Sequence, residues 1–277
     1  MISFFKQLFG RHPNDNKSKN SSSTAVDITV MLIGLDNAGK TTILSALQGE
    51  FDHHTTPTVG FNRETVKHGK YNITYFDLGG GANIRKIWRK YYAAIHAAIF
   101  VIDSAEESRL EEVRRVLFET VQNPFFRGKS LLVLANKQDL KTALTPGELA
   151  ERLQLADLTD YVYRYNILPC CALTGGGAKG GSSKRGSIDP QIKKGLSWLS
   201  DSIDENFDAL CSRIEKEAKA EEERERKERE EKMQRVRERK EREAQEQLEE
   251  QRRMAAQQQT TTTTTNNESQ SGLSVTT

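Results

Sequence analysis

One short segment constrains the fold more than any other. The apolar run VDITVMLI, residues 26–33, is followed by the loop GLDNAGKTT and then by a helical pattern from about Lys40. The loop satisfies the pattern G-x-x-x-x-G-K-[ST] in the setting the pattern requires, after a strand and at the start of a helix. In such a loop the backbone N–H groups of Asp36, Asn37, Ala38, Gly39 and Lys40 are placed to wrap a β-phosphate. Gly39 lets the backbone come close, Lys40 reaches the β- and γ-phosphates, and the Thr41 hydroxyl suits Mg²⁺, with Thr42 beside it in the phosphate set.

The segments after the loop alternate between strand and helix. FNRETVKH and YNITYFDL flank the turn His68-Gly69-Lys70 and read as a hairpin. AAIFVID (97–103) and SLLVLAN (130–136) are continuous apolar runs, the pattern of strands buried on both faces. Helical patterns fall at about 108–122 and 146–153, and YRYNILPC (163–170) reads as the last strand. Alternation of this kind predicts a doubly wound α/β domain, with a mainly parallel sheet and ligands outside the carboxyl ends of its strands.

A second motif selects the base. ANKQD, residues 135–139, ends a buried strand and contains N-K-x-D as Asn136, Lys137 and Asp139. A carboxylate at Asp139 can accept from both N1–H and the exocyclic amine of guanine, a donor pair adenine lacks. The Lys137 stem can lie over the base. CCAL (170–173) after the last strand places Cys171 and the backbone N–H of Ala172 on the guanine side, a weaker signal. Two further positions complete the phosphate end. Thr58, in TPTVGF, is positioned to ligate Mg²⁺ when a γ-phosphate is present, and Asp77 to hold the ion through water. The Gly80 N–H can meet the γ-phosphate.

Outside the domain, expected at 25–202, composition changes. Residues 1–10 (MISFFKQLFG) carry an apolar helical stripe, and 11–24 are Asn/Ser/Lys-rich, as in a flexible linker. The stripe fits either weak insertion into a membrane interface, or a segment that packs on the domain or stays disordered. Residues 175–187 read as a flexible glycine-rich loop before a final amphipathic helix. That helix is expected to run on through 203–258, with Ile203, Phe207, Leu210 and Ile214 as a coiled-coil-like seam and then a dense alternation of Glu and Arg. The Gln/Thr-rich tail, 259–277, is expected to be disordered. Hydrophobic residues are 36% of the chain, low for a wholly globular protein, which agrees with these appendages. A net charge of +2 gives no footprint for nucleic acid. The cysteines, Cys170, Cys171 and Cys211, have neither metal-ligand nor disulfide spacing, which fits a reducing compartment. No apolar run is long enough to span a bilayer.

The order GLDNAGKT, PTVGF, FDLGGG, NKQD and GLSWL resembles the Arf-like family of small GTPases over roughly Val26–Leu199. FDLGGG followed by IRKIWRKYY, with the charged helix after KKGLSWL, is similar to the cilium-associated subgroup, the thirteenth of the Arf-like series. The resemblance implies a P-loop small GTPase fold with GTP/GDP and Mg²⁺ as cofactors. Most Arf-type members carry a water-orienting Gln where this chain has Gly81, whereas Gly is the rule in that subgroup. The implied consequence is very slow or absent GTP hydrolysis, with no side chain assigned as catalytic; the alternatives are a GTPase completed by a partner and a scaffold that works through its long helix, with the nucleotide structural. Also implied are ciliary localisation on the membrane-associated side, effectors that engage the switch regions and the long helix, and exchange-factor action on the third Arf-like GTPase, with Arg85 on that partner surface. Two family features are missing: Ile2 occupies the myristoylation glycine position, and no cysteine precedes Cys170 for palmitoylation.

Overall fold

Strand β1 (Val26–Ile33) shows why the central sheet is covered on both sides. From Val30 to Ile33 every residue is fully buried, and alternate side chains on a strand point to opposite faces. Val30 and Leu32 pack with Ile43 and Leu44 of helix α1 (Lys40–Gln48) and with Leu196 and Leu199 of helix α5 (Pro190–Asp204). Met31 and Ile33 pack on the other face with Trp88 and with Val113 and Leu117 of helix α3 (Leu110–Val121). A run apolar at every position can be satisfied only by cover on both faces, the arrangement the alternating pattern predicts.

The computed structural model describes residues 25–51, 58, 60–172 and 187–271, with side chains to Glu249. The expected N-terminal stripe, the linker and nearly all of the glycine-rich loop lie outside the described residues. The chain runs β1, α1, β2 (Phe61–His68), β3 (Tyr71–Leu78), a short α2 (Ala82–Arg85), β4 (Ala97–Asp103), α3, β5 (Ser130–Asn136), α4 (Pro146–Arg152), β6 (Tyr165–Pro169), α5 and α6 (Phe207–Ser271), with 3₁₀ turns between. The six-stranded sheet has the order β2-β3-β1-β4-β5-β6. Among the described residues only the β2–β3 hairpin is antiparallel, closed at His68↔Tyr71 as its turn sequence predicts, and the other pairs are parallel. The loops after β1, β3, β4, β5 and β6 therefore open at one edge of the sheet, where the motifs lie.

The expected continuous last helix is interrupted. α5 ends at Asp204 and α6 begins at Phe207. Asp204 accepts from the Tyr71 hydroxyl and pairs with Lys70 at 2.8 Å, and Glu205 pairs with Arg164 at 2.6 Å. These contacts hold the chain where it turns. The residues read as a coiled-coil-like seam are engaged by the domain itself. Ile203, Leu210 and Ile214 join one face of the core, and Ala218 is buried as well. The compact unit accordingly extends to Glu221, past the boundary expected at residue 202.

The second unit begins at Glu222. From Arg226 to Glu249 every side chain is exposed. Arg and Glu pair four residues apart along it, as in Arg224–Glu228, Arg237–Glu241 and Arg239–Glu243. Each such exposed pair contributes about 0.2–0.5 kcal/mol. The helical backbone continues to Ser271, through most of the tail expected to lack structure. No helix among the described residues is long and apolar enough to cross a membrane.

His96 joins the sheet to α6. Its backbone N–H donates to Thr29 O, and its Nδ1 accepts from Thr29 N–H at 3.0 Å. Its ring stacks on Phe207 at 6.3 Å, and Nε2 lies 3.7 Å from Cys211 Sγ. Burial, with Lys129 nearby, holds its pKa down at about 4. Protonation would also turn the accepting Nδ1 into a donor facing a donor. The unfolded chain binds this proton at about pH 6.5 and the folded chain only near 4, so stability is lost as pH falls through that window. His96→Asn keeps a neutral acceptor and is expected to flatten the fall of the melting temperature between pH 6.5 and 4, measured by thermal unfolding at each pH. An identical pH profile in the variant would contradict this account.

Candidate functional site

The loop between β1 and α1 folds around a buried lysine. Lys40 is 6% exposed, and its Nζ donates to Gly34 O at 3.1 Å and Leu35 O at 2.8 Å. Its own loop thus holds the ammonium in place. Burial lowers its pKa to about 8, opposed by the nearby Asp77 and Asp36 carboxylates. Gly39 adopts φ +94°, and a Cβ there would lie 2.3 Å from the Asn136 amide. Glycine meets both demands, the left-handed backbone and the close approach. Asn37 also has positive φ, Ala38 is buried, and Thr42 lies in the first turn of α1.

Three oxygen-bearing side chains from separate segments converge beside Lys40. Thr41 Oγ1 donates to Asp77 Oδ2 at 2.7 Å and lies 2.9 Å from Thr58 Oγ1. Thr58 Oγ1 donates to the same carboxylate oxygen at 3.3 Å. Asp77 is fully buried, which raises its pKa against the pull of the Thr41 hydrogen bond and of Lys40. Its Oδ1 is buried and takes no hydrogen bond. Two hydroxyls and a carboxylate with an unpartnered oxygen are the hard donors that suit Mg²⁺.

The base-side motifs meet at Asn136, which is 2% exposed. Its amide donates to Ala38 O at 2.8 Å, and its Oδ1 accepts from Ala172 N–H at 3.0 Å and from the Cys170 thiol at 3.7 Å. The Ala172 N–H expected on the guanine side is thus engaged by Asn136 in this structure. Lys137 has φ +66° and places Nζ 2.6 Å from Asp103 Oδ2. Asp139 is exposed, and its Oδ1 accepts from the Cys171 thiol at 3.1 Å.

Gly80 and Gly81 differ sharply. A Cβ on Gly80 would meet Asp36 N at 2.2 Å and Leu35 C at 2.3 Å, so the β3–α2 loop lies against the β1–α1 loop. Among the described residues, a Cβ on Gly81 would meet nothing within 4 Å, and its φ of −65° is open to any residue. Arg85, read as a partner contact, turns inward. Its side chain is 12% exposed and pairs with Glu112 at 2.6 Å. Glu112 also pairs with Arg109, which binds Asp36 at 2.8 Å.

Sequence reasoning passed over Asp103, Arg109, Glu112 and Asp189. Arg109 and Glu112 carried a weak signal, an opposite-charge pair three residues apart at a helix start. Asp189 carried a clearer one, an Asp directly before a helical proline.

This topology and this loop are those of the small GTPase fold. Residues 16–185 match the ADP-ribosylation factor family. The chain is 44% identical over 191 residues to ADP-ribosylation factor-like protein 13B of Chlamydomonas reinhardtii, across 69% of this chain and 34% of that protein. It is 39% identical over 155 residues to ADP-ribosylation factor-like protein 2 of Dictyostelium discoideum, across 56% of this chain and 83% of that one. Among solved structures it is similar to the Arl6 BBS3 small GTPase from Trypanosoma brucei with the bound nucleotide analogue GppNp. There the TM-score is 0.54 and the identity 32%, over 65% of this chain and 99% of that one. The chain belongs to the ADP-ribosylation factor family. It spans about a third of the length of the Chlamydomonas relative.

The two glycines make a stability test. Gly80→Ala is expected to cost about 1–3 kcal/mol through overpacking against loop backbone, whereas Gly81→Ala should stay within about 0.5 kcal/mol of the parent. Urea unfolding of the two variants beside the parent measures both. Equal stability would mean that the contact at Gly80 relaxes freely.

Proposed function

We propose that the chain is a GTP/GDP-binding switch of the Arf-like type whose GTP state is long-lived. The observation that carries the proposal is the meeting of Thr41, Thr58 and Asp77, from three separate segments, beside buried Lys40. In this reading the N–H groups of residues 36–40 and the Lys40 ammonium hold the phosphates, with Thr42 and the Gly80 N–H beside them. Thr41 and Thr58 would hold Mg²⁺, with Asp77 holding it through water. The ion supplies positive charge against the β- and γ-phosphates when bound. Thr58, which reaches Asp77 from outside the phosphate loop, is the residue that senses the γ-phosphate and couples it to partner binding. Asn136, Lys137 and Asp139 select guanine, with Cys171 and Ala172 forming the adjoining wall.

Gly81 stands where Arf-type members carry the water-orienting Gln and offers no side chain to aim a water, so intrinsic hydrolysis is very slow or absent. A second reading, a GTPase completed by a partner that supplies the missing polar group, draws on the open space that the described residues leave at Gly81. Exchange-factor action on another Arf-like GTPase, engagement of effectors by the switch regions and α6, and ciliary residence are part of the proposal, supported by the similarity to the 13B-type relative; peripheral membrane contact through residues 1–10 is supported by their apolar stripe. The inward turn of Arg85 shifts the expected partner surface towards its exposed neighbours Lys86, Arg89 and Lys90. The domain boundaries proposed are 25–221 for the switch and 222 onward for the charged helix.

Single-turnover measurement tests the core of this reading. Chain loaded with GTP and Mg²⁺ is expected to retain unhydrolysed GTP over hours, and Gly81→Gln, which the space permits, to hydrolyse it faster. Turnover in the parent as fast as in Gly81→Gln would overturn the long-lived state. Asp139→Asn is expected to move preference from GDP to XDP by about a hundredfold or more, measured by competitive nucleotide binding.

A further inference from the structure

Asp189 has two hydrogen bonds where a helix cap needs one. Its Oδ1 accepts from Gln191 N–H at 2.8 Å, the ordinary N-cap of α5. Its Oδ2 accepts from Cys171 N–H at 2.7 Å, eighteen residues earlier in the chain. Cys171 in turn donates its thiol to Asp139 Oδ1 at 3.1 Å. One half-buried carboxylate thus fixes a peptide whose side chain touches the carboxylate assigned to guanine. The neighbouring amide, Ala172 N–H, is held separately by Asn136 at 3.0 Å. Gln138 N–H reaches Cys170 O at 3.2 Å and sets the spacing of the two loops, but not the direction of the Cys171 side chain.

We infer that Asp189 is a positioning residue for guanine recognition, holding the Cys171 peptide so that the Cys171 thiol orients the Asp139 carboxylate. The inference rests on the guanine reading above. Asp139 is exposed, so its carboxylate loses rotational freedom when it meets a base. A thiol already bonded to one oxygen removes part of that loss before the nucleotide arrives. The pair of oxygens then faces the N1–H and exocyclic amine together, and the amine is the group that inosine nucleotides lack.

The test is the ratio of GDP to IDP affinity in the full chain. Asp189→Ser keeps a helix cap but has one short oxygen, so it separates helix stability from positioning. It is expected to lower the GDP:IDP ratio by about two- to tenfold, as is Cys171→Ala. The double variant should lose no more than the larger single, because the two residues act in series. Asp189→Thr, likewise a cap with one short oxygen, is expected to lose the ratio in the same way should the serine variant fold poorly. An unchanged ratio in the Asp189 variants, or full additivity in the double, would overturn the positioning role. Asp139→Asn in the same assay keeps the two readings apart. If it still prefers GDP to XDP, the guanine reading falls and the positioning role with it. If it switches while the Asp189 variants hold their ratio, only the positioning role falls.

Discussion

The site depends on the side chain of Asn136. Buried at the end of β5, it donates to the carbonyl of Ala38 and accepts from the N–H of Ala172. Only one orientation of the amide satisfies both, because one partner offers an acceptor and the other a donor. The β1–α1 loop, the end of β5 and the loop after β6 are thereby pinned to one group. Gly39 is part of the same arrangement, since its backbone passes where any Cβ would strike that amide. Removing a buried amide of this kind would leave both backbone partners unpaired, the costly case for hydrogen bonds.

Charge around the phosphate loop is arranged in two layers. The inner layer is Lys40 and Asp77, both buried, each shifting towards its neutral form through burial and each opposed by the other's charge. The outer layer is the chain of Asp36, Arg109, Glu112 and Arg85, which connects the phosphate loop to the start of α3 and the end of α2. Its members are partly exposed, so the individual pairs contribute modestly to stability. Their geometry matters more, because they tie the segment after Gly81 to the loop that would hold phosphate. Arg85 is in this way a structural partner of Glu112 before it is anything else.

Helix α6 obeys two kinds of physics along one backbone. As far as Glu221 it belongs to the domain, through Leu210, Ile214 and Ala218. Beyond Arg226 the described side chains are all exposed, and local Arg–Glu pairs replace the core as the source of helical preference. The spacing of Phe207, Leu210 and Ile214 was visible in the sequence, but spacing alone cannot say what covers an apolar stripe. A partner helix and the chain's own sheet leave the same periodic pattern.

What the sequence determined by itself was local. The Lys40 loop, the hairpin closed at Gly69 and the strands 97–103 and 130–136 were legible because each rests on near-neighbour constraints: turn chemistry, burial on both faces, and glycine where the backbone needs it. The residues of the candidate site were named from their motifs as well, down to Thr58 and Asp77. What only the tertiary structure decided was how those residues meet. It put the Ala172 N–H on Asn136, left Asp139 exposed beside a thiol, and broke the last helix at Asp204. It also turned Arg85 inward to Glu112, and made Asp189 a link between α5 and the Cys171 peptide. Each of these depends on groups far apart in the chain that compete for the same few donors and acceptors. That competition is settled only when the sheet has brought its loops to one edge.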